Sequence, residues 1–227
     1  RLNAALTANP QSTYLGGSGP DYAYALGIHP SSGEVYVAGS TYSTNFPNTA
    51  GGAQPTGGGT YDAFVARLNP ALTSNLQATY LGGTDGADGA GGLAFQPVTG
   101  DVYVVGGTHS TNFPNTTGGA QPGKGGGLGD GFVARLNGAL TVNAQSTYLG
   151  GSGDDGAPRL AIHPSSGEVY VAGYTESTDF PNTTGGAQAT YGGGSLDAFV
   201  ARLNPALTAN LQSTYLGGTA DDLGHAL

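Results

Sequence analysis

The chain has 227 residues, among them 43 Gly and 13 Pro but no Cys, Met or Trp, and its 15 acidic and 6 basic side chains give a net charge of −9. So few cations argue against binding nucleic acid by phosphate neutralisation, and the missing cysteines exclude disulfides, thiolate metal sites and a cysteine nucleophile. No run of about 18 apolar residues is present to span a bilayer as a helix.

A weakly charged chain rich in Gly and Pro permits either a loop-rich fold or no fold, and periodicity decides between them. Thr-Tyr-Leu-Gly-Gly occurs four times, with its tyrosine at Tyr14, Tyr80, Tyr148 and Tyr215. Arg-Leu-Asn recurs in the same phase from Arg1, Arg67, Arg135 and Arg202. A period of about 67 residues is the mark of a repeat architecture. In chain order, residues 1–17 read as a partial blade containing strands three and four, the latter at 11–15. Residues 18–83 read as a blade with strands at 22–28, 34–38, 63–68 and 77–81. Residues 84–151 repeat it at 92–95, 101–105, 131–136 and 145–149. Residues 152–218 repeat it again at 159–162, 168–172, 198–203 and 212–216, and 219–227 begin another blade. In strand two Val35 and Val37 share one face and Tyr36 and Ala38 the other, the alternation of a strand. His29-Pro-Ser-Ser-Gly33, its copy at 163–167 and Gln96-Pro-Val-Thr-Gly100 read as turns joining strands one and two. A loop of about 20 residues separates strands two and three, a length often associated with binding. No segment has a helical period.

The expected fold is all-β, with tandem four-stranded antiparallel blades of β-propeller type, about 3.4 repeats in all. Each blade cannot bury both faces alone, so stacking on its neighbours supplies the core. Closed propellers use about four to eight blades, so one chain alone does not close a ring. The chain opens on Arg1 without Met and reads as a piece of a longer tandem array, or as one completed by neighbouring copies; an open superhelical stack is the alternative.

The order Gly-Gly-Ser-Gly-Asp-Asp (150–155), Gly-Glu-Val-Tyr-Val-Ala-Gly (167–173), Ser-Thr-Asp-Phe-Pro (177–181), Asp-Ala-Phe-Val-Ala-Arg-Leu-Asn (197–204) and Ser-Thr-Tyr-Leu-Gly-Gly (213–218) closely resembles the bacterial SBBP β-propeller repeat family. The resemblance covers the whole chain. It implies a secreted or cell-surface bacterial protein with long tandem arrays, often joined to adhesive or carbohydrate-binding modules, and it carries no catalytic motif.

Of the side chains that could carry chemistry, the Gly-rich links between blades hold Asp85 and Asp88, Asp154 and Asp155, and Asp221 and Asp222, with Asp21 alone in the first. Carboxylates in such loops could ligate calcium, but the loops match no EF-hand and the favoured reading is turn capping. Asp62, Asp130 and Asp197 open strand three five residues before an Arg, hence on opposite faces, so an Arg contact across blades is expected. His29 and His163 share a turn position that is Gln96 in the middle repeat, and His109 and His225 have no counterparts. No Ser stands in a nucleophile elbow, and Lys124 lacks a P-loop setting. Asn115 and Asn182 stand in formal glycosylation sequons, whereas the equivalent Asn48 does not. The expected function is a non-catalytic extracellular structural or adhesive module, plausible as a segment of a surface array or filament, whose partners are neighbouring copies or a continuation of the same repeat. The alternative is a carbohydrate- or ligand-binding module using Tyr42, Tyr61, Tyr174 and Tyr191.

Overall fold

The computed structural model describes residues 2–224 and 226, so Arg1, His225 and Leu227 lie outside the described residues. Twelve strands form three sheets and no helix is present among the described residues. The first sheet holds β1 (Asp21–Ile28), β2 (Val35–Thr41), β3 (Asp62–Leu68) and β4 (Asn75–Leu81). The second holds β5 (Asp88–Phe95), β6 (Val102–Thr108), β7 (Asp130–Leu136) and β8 (Asn143–Leu149). The third holds β9 (Asp155–Ile162), β10 (Val169–Thr175), β11 (Asp197–Leu203) and β12 (Asn210–Leu216). Each sheet is an antiparallel meander in sequence order. Between sheets, β5 touches both β1 and β9, whereas the fourth strands lie apart, so the blades fan outward from their first strands.

Two local differences from the sequence expectation have physical causes. The first strands of the second and third blades begin four residues earlier than expected, at Asp88 and Asp155. Their openings, rich in Gly and Ala, have low strand propensity, and pairing with strand two overrides it. Residues 11–15 do not form a strand, because no third strand lies beside them among the described residues to supply a ladder.

The alternation expected of β2 decides how blades stack. Tyr36 and Ala38, with Ala63, Val65 and Leu81, pack against Val102, Val104, Phe132 and Leu136 of the second blade. One repeat later Tyr103, Val105, Val133 and Leu149 pack against Val169, Val171, Phe199 and Leu203 of the third. Every seam therefore joins one face of a blade to the opposite face of the next. Small residues permit the approach of the strands themselves. A Cβ at Gly106 would overlap the Gly89 carbonyl across the β5–β6 pair, and Gly39 and Gly173 meet the same contact in their blades.

Candidate functional site

The repeated motifs that dominate the sequence become locks in the structure. The Tyr148 hydroxyl accepts a hydrogen bond from Phe113 N–H at 2.9 Å and donates to Ser110 O at 2.9 Å. Tyr80 joins Phe46 N–H to Ser43 O, and Tyr215 joins Phe180 N–H to Ser177 O, in the same way. The Tyr of Thr-Tyr-Leu-Gly-Gly thus pins the Phe-Pro segment of the long loop. That Phe stacks on the strand-three Phe at 4.4, 4.5 and 4.2 Å in the three blades.

Polar contacts also cross the seams with repeat symmetry. The Tyr36 hydroxyl donates to Gly138 O at 2.6 Å, and the Tyr103 hydroxyl to Pro205 O at 2.5 Å. Ala53 N–H donates to Leu140 O and Ala120 N–H to Leu207 O. Leu140 and Leu207 sit in the left-handed region, at φ 60° and 59°, a conformation costing a non-glycine residue about 1–2 kcal/mol. Burial of their side chains and the accepted hydrogen bond offset that cost.

The two outer faces carry the halves of this seam without a blade opposite. On the first blade Leu72 holds the same strained turn, at φ 60°. Its carbonyl receives the Gln11 side-chain amide at 3.3 Å instead of a loop N–H. Leu15, the counterpart of Leu81, packs beside Val35, Val37 and Leu72, leaving an apolar hollow of about 730 Å³ over Leu26, Ile28 and Val37. On the third blade Leu216 is 49% exposed, whereas its counterparts Leu81 and Leu149 are 1% exposed. Tyr170 and Ala187 N–H, which match the seam donors Tyr36 and Ala53, make no seam contact among the described residues.

The candidate aspartates serve the loops. Asp85 accepts hydrogen bonds from the Thr111 hydroxyl and, at 3.0 Å, from Thr111 N–H, and the hydroxyl bond chiefly holds its carboxyl below the ordinary range. Asp154 accepts Leu128 N–H, Asp221 accepts Ser195 N–H at 2.6 Å, and Asp222 accepts Gly218 N–H at 2.7 Å. Asp88 takes Gly83 N–H and the Ser110 hydroxyl, both at 2.9 Å, and Asp155 takes Gly151 N–H and the Ser177 hydroxyl, both at 2.8 Å. Sequence reading missed that Asp88 and Asp155 are buried beside the strand-three aspartates. A Cβ at Gly82 would run into Asp62 Oδ1 and lie 2.6 Å from Asp88 Oδ2, and Gly150 sits between Asp130 and Asp155 in the same manner. The Oδ1 atoms of Asp62 and Asp130 are buried without a hydrogen-bond partner, whereas the Thr108 and Thr175 side chains stand beside the carboxylates of Asp88 and Asp155 and partly offset their burial. Burial raises all four carboxyls, that of Asp155 to about 6. Among the described residues no group of three or more His, Cys, Asp or Glu is placed to hold a metal ion.

The arginines pair mainly within their own blade, contrary to the cross-blade expectation. Arg135 meets Asp101 at 2.7 Å, while Arg67 and Arg202 stand 3.9 Å from Glu34 and Glu168. These acids lie at the foot of strand two, directly beside strand three; of these three arginines Arg67 also reaches across a seam, to Gly138 O at 3.4 Å, and Arg159, outside the repeated motif, reaches Gly91 O of the second blade at 3.1 Å. His29 and His163 cap their turns through Nδ1, and Gln96 does the same through Oε1, which explains the exchange of residue type. Asn115 and Asn182 occupy the left-handed region, and each side-chain amide donates to a fourth-strand carbonyl at 2.8 Å. Asn48 shares this geometry, so the loop demands Asn whether or not a sequon follows. Tyr61 and Tyr174 face a common cleft, Tyr42 packs on Tyr61 at 4.8 Å, and Tyr191 lies elsewhere, edge-on to Tyr215.

Residues 12–47 match the family model of the SBBP beta-propeller repeat. The same four-stranded antiparallel sheet occurs three times along the chain, which is consistent with this repeat family. No curated protein matches the chain.

Proposed function

We propose that this run of SBBP-type beta-propeller repeats is a non-catalytic scaffold, secreted or displayed on a bacterial surface, that grows by adding blades of its own kind to its outer faces. The observation that carries this reading is Leu216, half exposed where the same residue of the other two blades is sealed in a seam. The opposite outer face adds to it, because Leu72 keeps the strained turn that Leu140 and Leu207 use to receive the preceding blade. One face matches the other as the two sides of an existing seam match, so a further blade, whether of the same chain or of a neighbouring copy, fits either face head-to-tail, and repetition generates rings or filaments according to the rotation per step. The adhesive part of the role rests on multivalency: similar long loops, held by the Tyr–Phe locks, repeat at fixed spacing along such an array.

Sedimentation velocity of the 227-residue chain across concentration tests this. Reversible association that Leu216→Glu on one face, or Val37→Lys on the other, abolishes is expected. A chain that stays monomeric at its highest soluble concentration would overturn the proposal.

A further inference from the structure

The repeats are near copies, so the positions at which they diverge are informative. Tyr24 stands where the other repeats have Gly91 and Pro158, Tyr61 where they have Gly129 and Leu196, and Tyr174 where they have Ser40 and Gly107. Three different repeat positions in two different blades thus gain a tyrosine. The fold brings all three to one cleft of about 260 Å³, where the first strands of the three blades converge.

The floor of this cleft is built by an irregularity in the inner strands. Register shifts fall between Ala23 and Ala25 in β1 and between Ala90 and Gly92 in β5, leaving Tyr24 and Gly91 as the extra residues. The third shift lies in the part of β9 that contains Pro158. A bulge re-aims its side chain and leaves backbone groups unpaired. Glycine at 91 and 107 keeps the floor shallow, and a Cβ at Gly107 would meet nothing within 4 Å.

The lining fixes the chemistry of the ligand. No Lys, Arg, Asp or Glu is among the lining residues. Arg159 is turned onto the carbonyls of Gly91 and Pro158, at 3.1 and 2.8 Å. Tyr24 is 62% exposed and Tyr174 36%, so these rings are not core. Tyr22 stacks parallel to Tyr24, with ring centroids 6.3 Å apart, and Tyr42 backs Tyr61, which widens the aromatic surface. Aromatic faces carry negative quadrupole density that attracts the polarised C–H face of a pyranose ring, while phenol hydroxyls and exposed amides reach its hydroxyls. The volume lies just under the range of about 300–1,000 Å³ for drug-sized pockets, a fit for one ring of a chain that runs on into solvent.

We infer that the cleft between Tyr24, Tyr61 and Tyr174 binds a single hexopyranose unit of a neutral oligosaccharide. The site lies wholly within the three blades and does not need a further blade to be complete. Isothermal titration of the chain with cellohexaose, laminarihexaose, chitohexaose and maltohexaose tests it, with tyrosine fluorescence as a second readout. At least one hexaose binds with a Kd of about 1 mM or tighter. Tyr24→Ala and Tyr174→Ala each weaken that binding at least about tenfold, whereas Tyr24→Phe, which keeps the ring and loses only the hydroxyl, weakens it less than about threefold, and Tyr191→Ala, outside the cleft, leaves it intact. Absence of binding by all four sugars overturns the inference, as does binding that survives the Tyr24→Ala, Tyr174→Ala double variant. Sedimentation of the same samples separates this outcome from a failure of blade addition.

Discussion

Leu81, Leu149 and Leu216 occupy one repeat position in three nearly identical strands, and only the presence of a following blade distinguishes them. Leu149 packs in the seam with Val105, Val133 and the third blade, so Leu149→Ala removes buried methyls and leaves a cavity, at about 2–5 kcal/mol. Leu216 is already half exposed, and truncating it forfeits only part of a full burial of about 1.5–3 kcal/mol, with no closed cavity; about 1 kcal/mol is expected. For a chain of this size each kcal/mol lowers Tm by about 2–4 °C. Leu81→Ala and Leu149→Ala should therefore lower Tm by about 4–20 °C, and Leu216→Ala by about 2–4 °C. Thermal melts of dilute, monomeric protein, followed by circular dichroism, measure the difference. Equal losses at all three positions in the monomer would refute the seam argument. As concentration rises into the associating regime, the Leu216→Ala loss should grow towards the other two.

Four further outcomes are expected. Tyr148→Phe leaves a buried Phe113 N–H and Ser110 O without their shared partner, at a cost of about 2–4 kcal/mol in urea denaturation, while the ring stacking persists. The Asp155 carboxyl is pushed up to about 6 from an ordinary 3.8, chiefly by burial, so its ionisation opposes folding. The penalty is in full force above pH 6, fades as pH falls through 6 and is gone below 3.8; Asp155→Asn should stabilise the chain by up to about 3 kcal/mol at pH 7.5 and by nothing near pH 3. Calcium or chelator should leave Tm unchanged, because the six linker aspartates already serve loop amides; a calcium-induced rise that also removes the pH dependence would show the buried pairs holding a cation instead. Gly106→Ala should cost more than Gly107→Ala by at least about 1–3 kcal/mol, since only the former drives a Cβ into a backbone carbonyl.

The period, the four antiparallel strands of each blade and the faces of strand two were all legible in the sequence, because repetition exposes phase and alternation exposes sides. Residues 88–91, Asp-Gly-Ala-Gly, read as part of the link between blades because they lack strand-forming side chains, and only the partner strand β6 makes them a strand. Residues 11–15 show the converse: they carry the same motif as β4, β8 and β12 but lack a neighbouring strand among the described residues, and a strand exists only by pairing. The cleft was partly visible. Tyr61 and Tyr174 stood out as tyrosines that vary between copies, but Tyr24 did not, because its aim depends on a bulge that no local pattern announces. The buried carboxylate pairs were invisible for a related reason. Asp62 and Asp88 are 26 residues apart in the chain, and only the close passage of both at Gly82 joins them.

The sequence by itself determined that a quarter of the chain being Gly and Pro meant repetition rather than disorder, since those residues recur in phase at turns and close contacts. Tertiary structure decided what each copy of a repeated residue does. Leu81 and Leu216 are the same residue in the same strand, and one is core while the other is surface. Burial belongs to the neighbour as much as to the side chain, and in a stack of blades the neighbour is the one thing a single repeat does not encode.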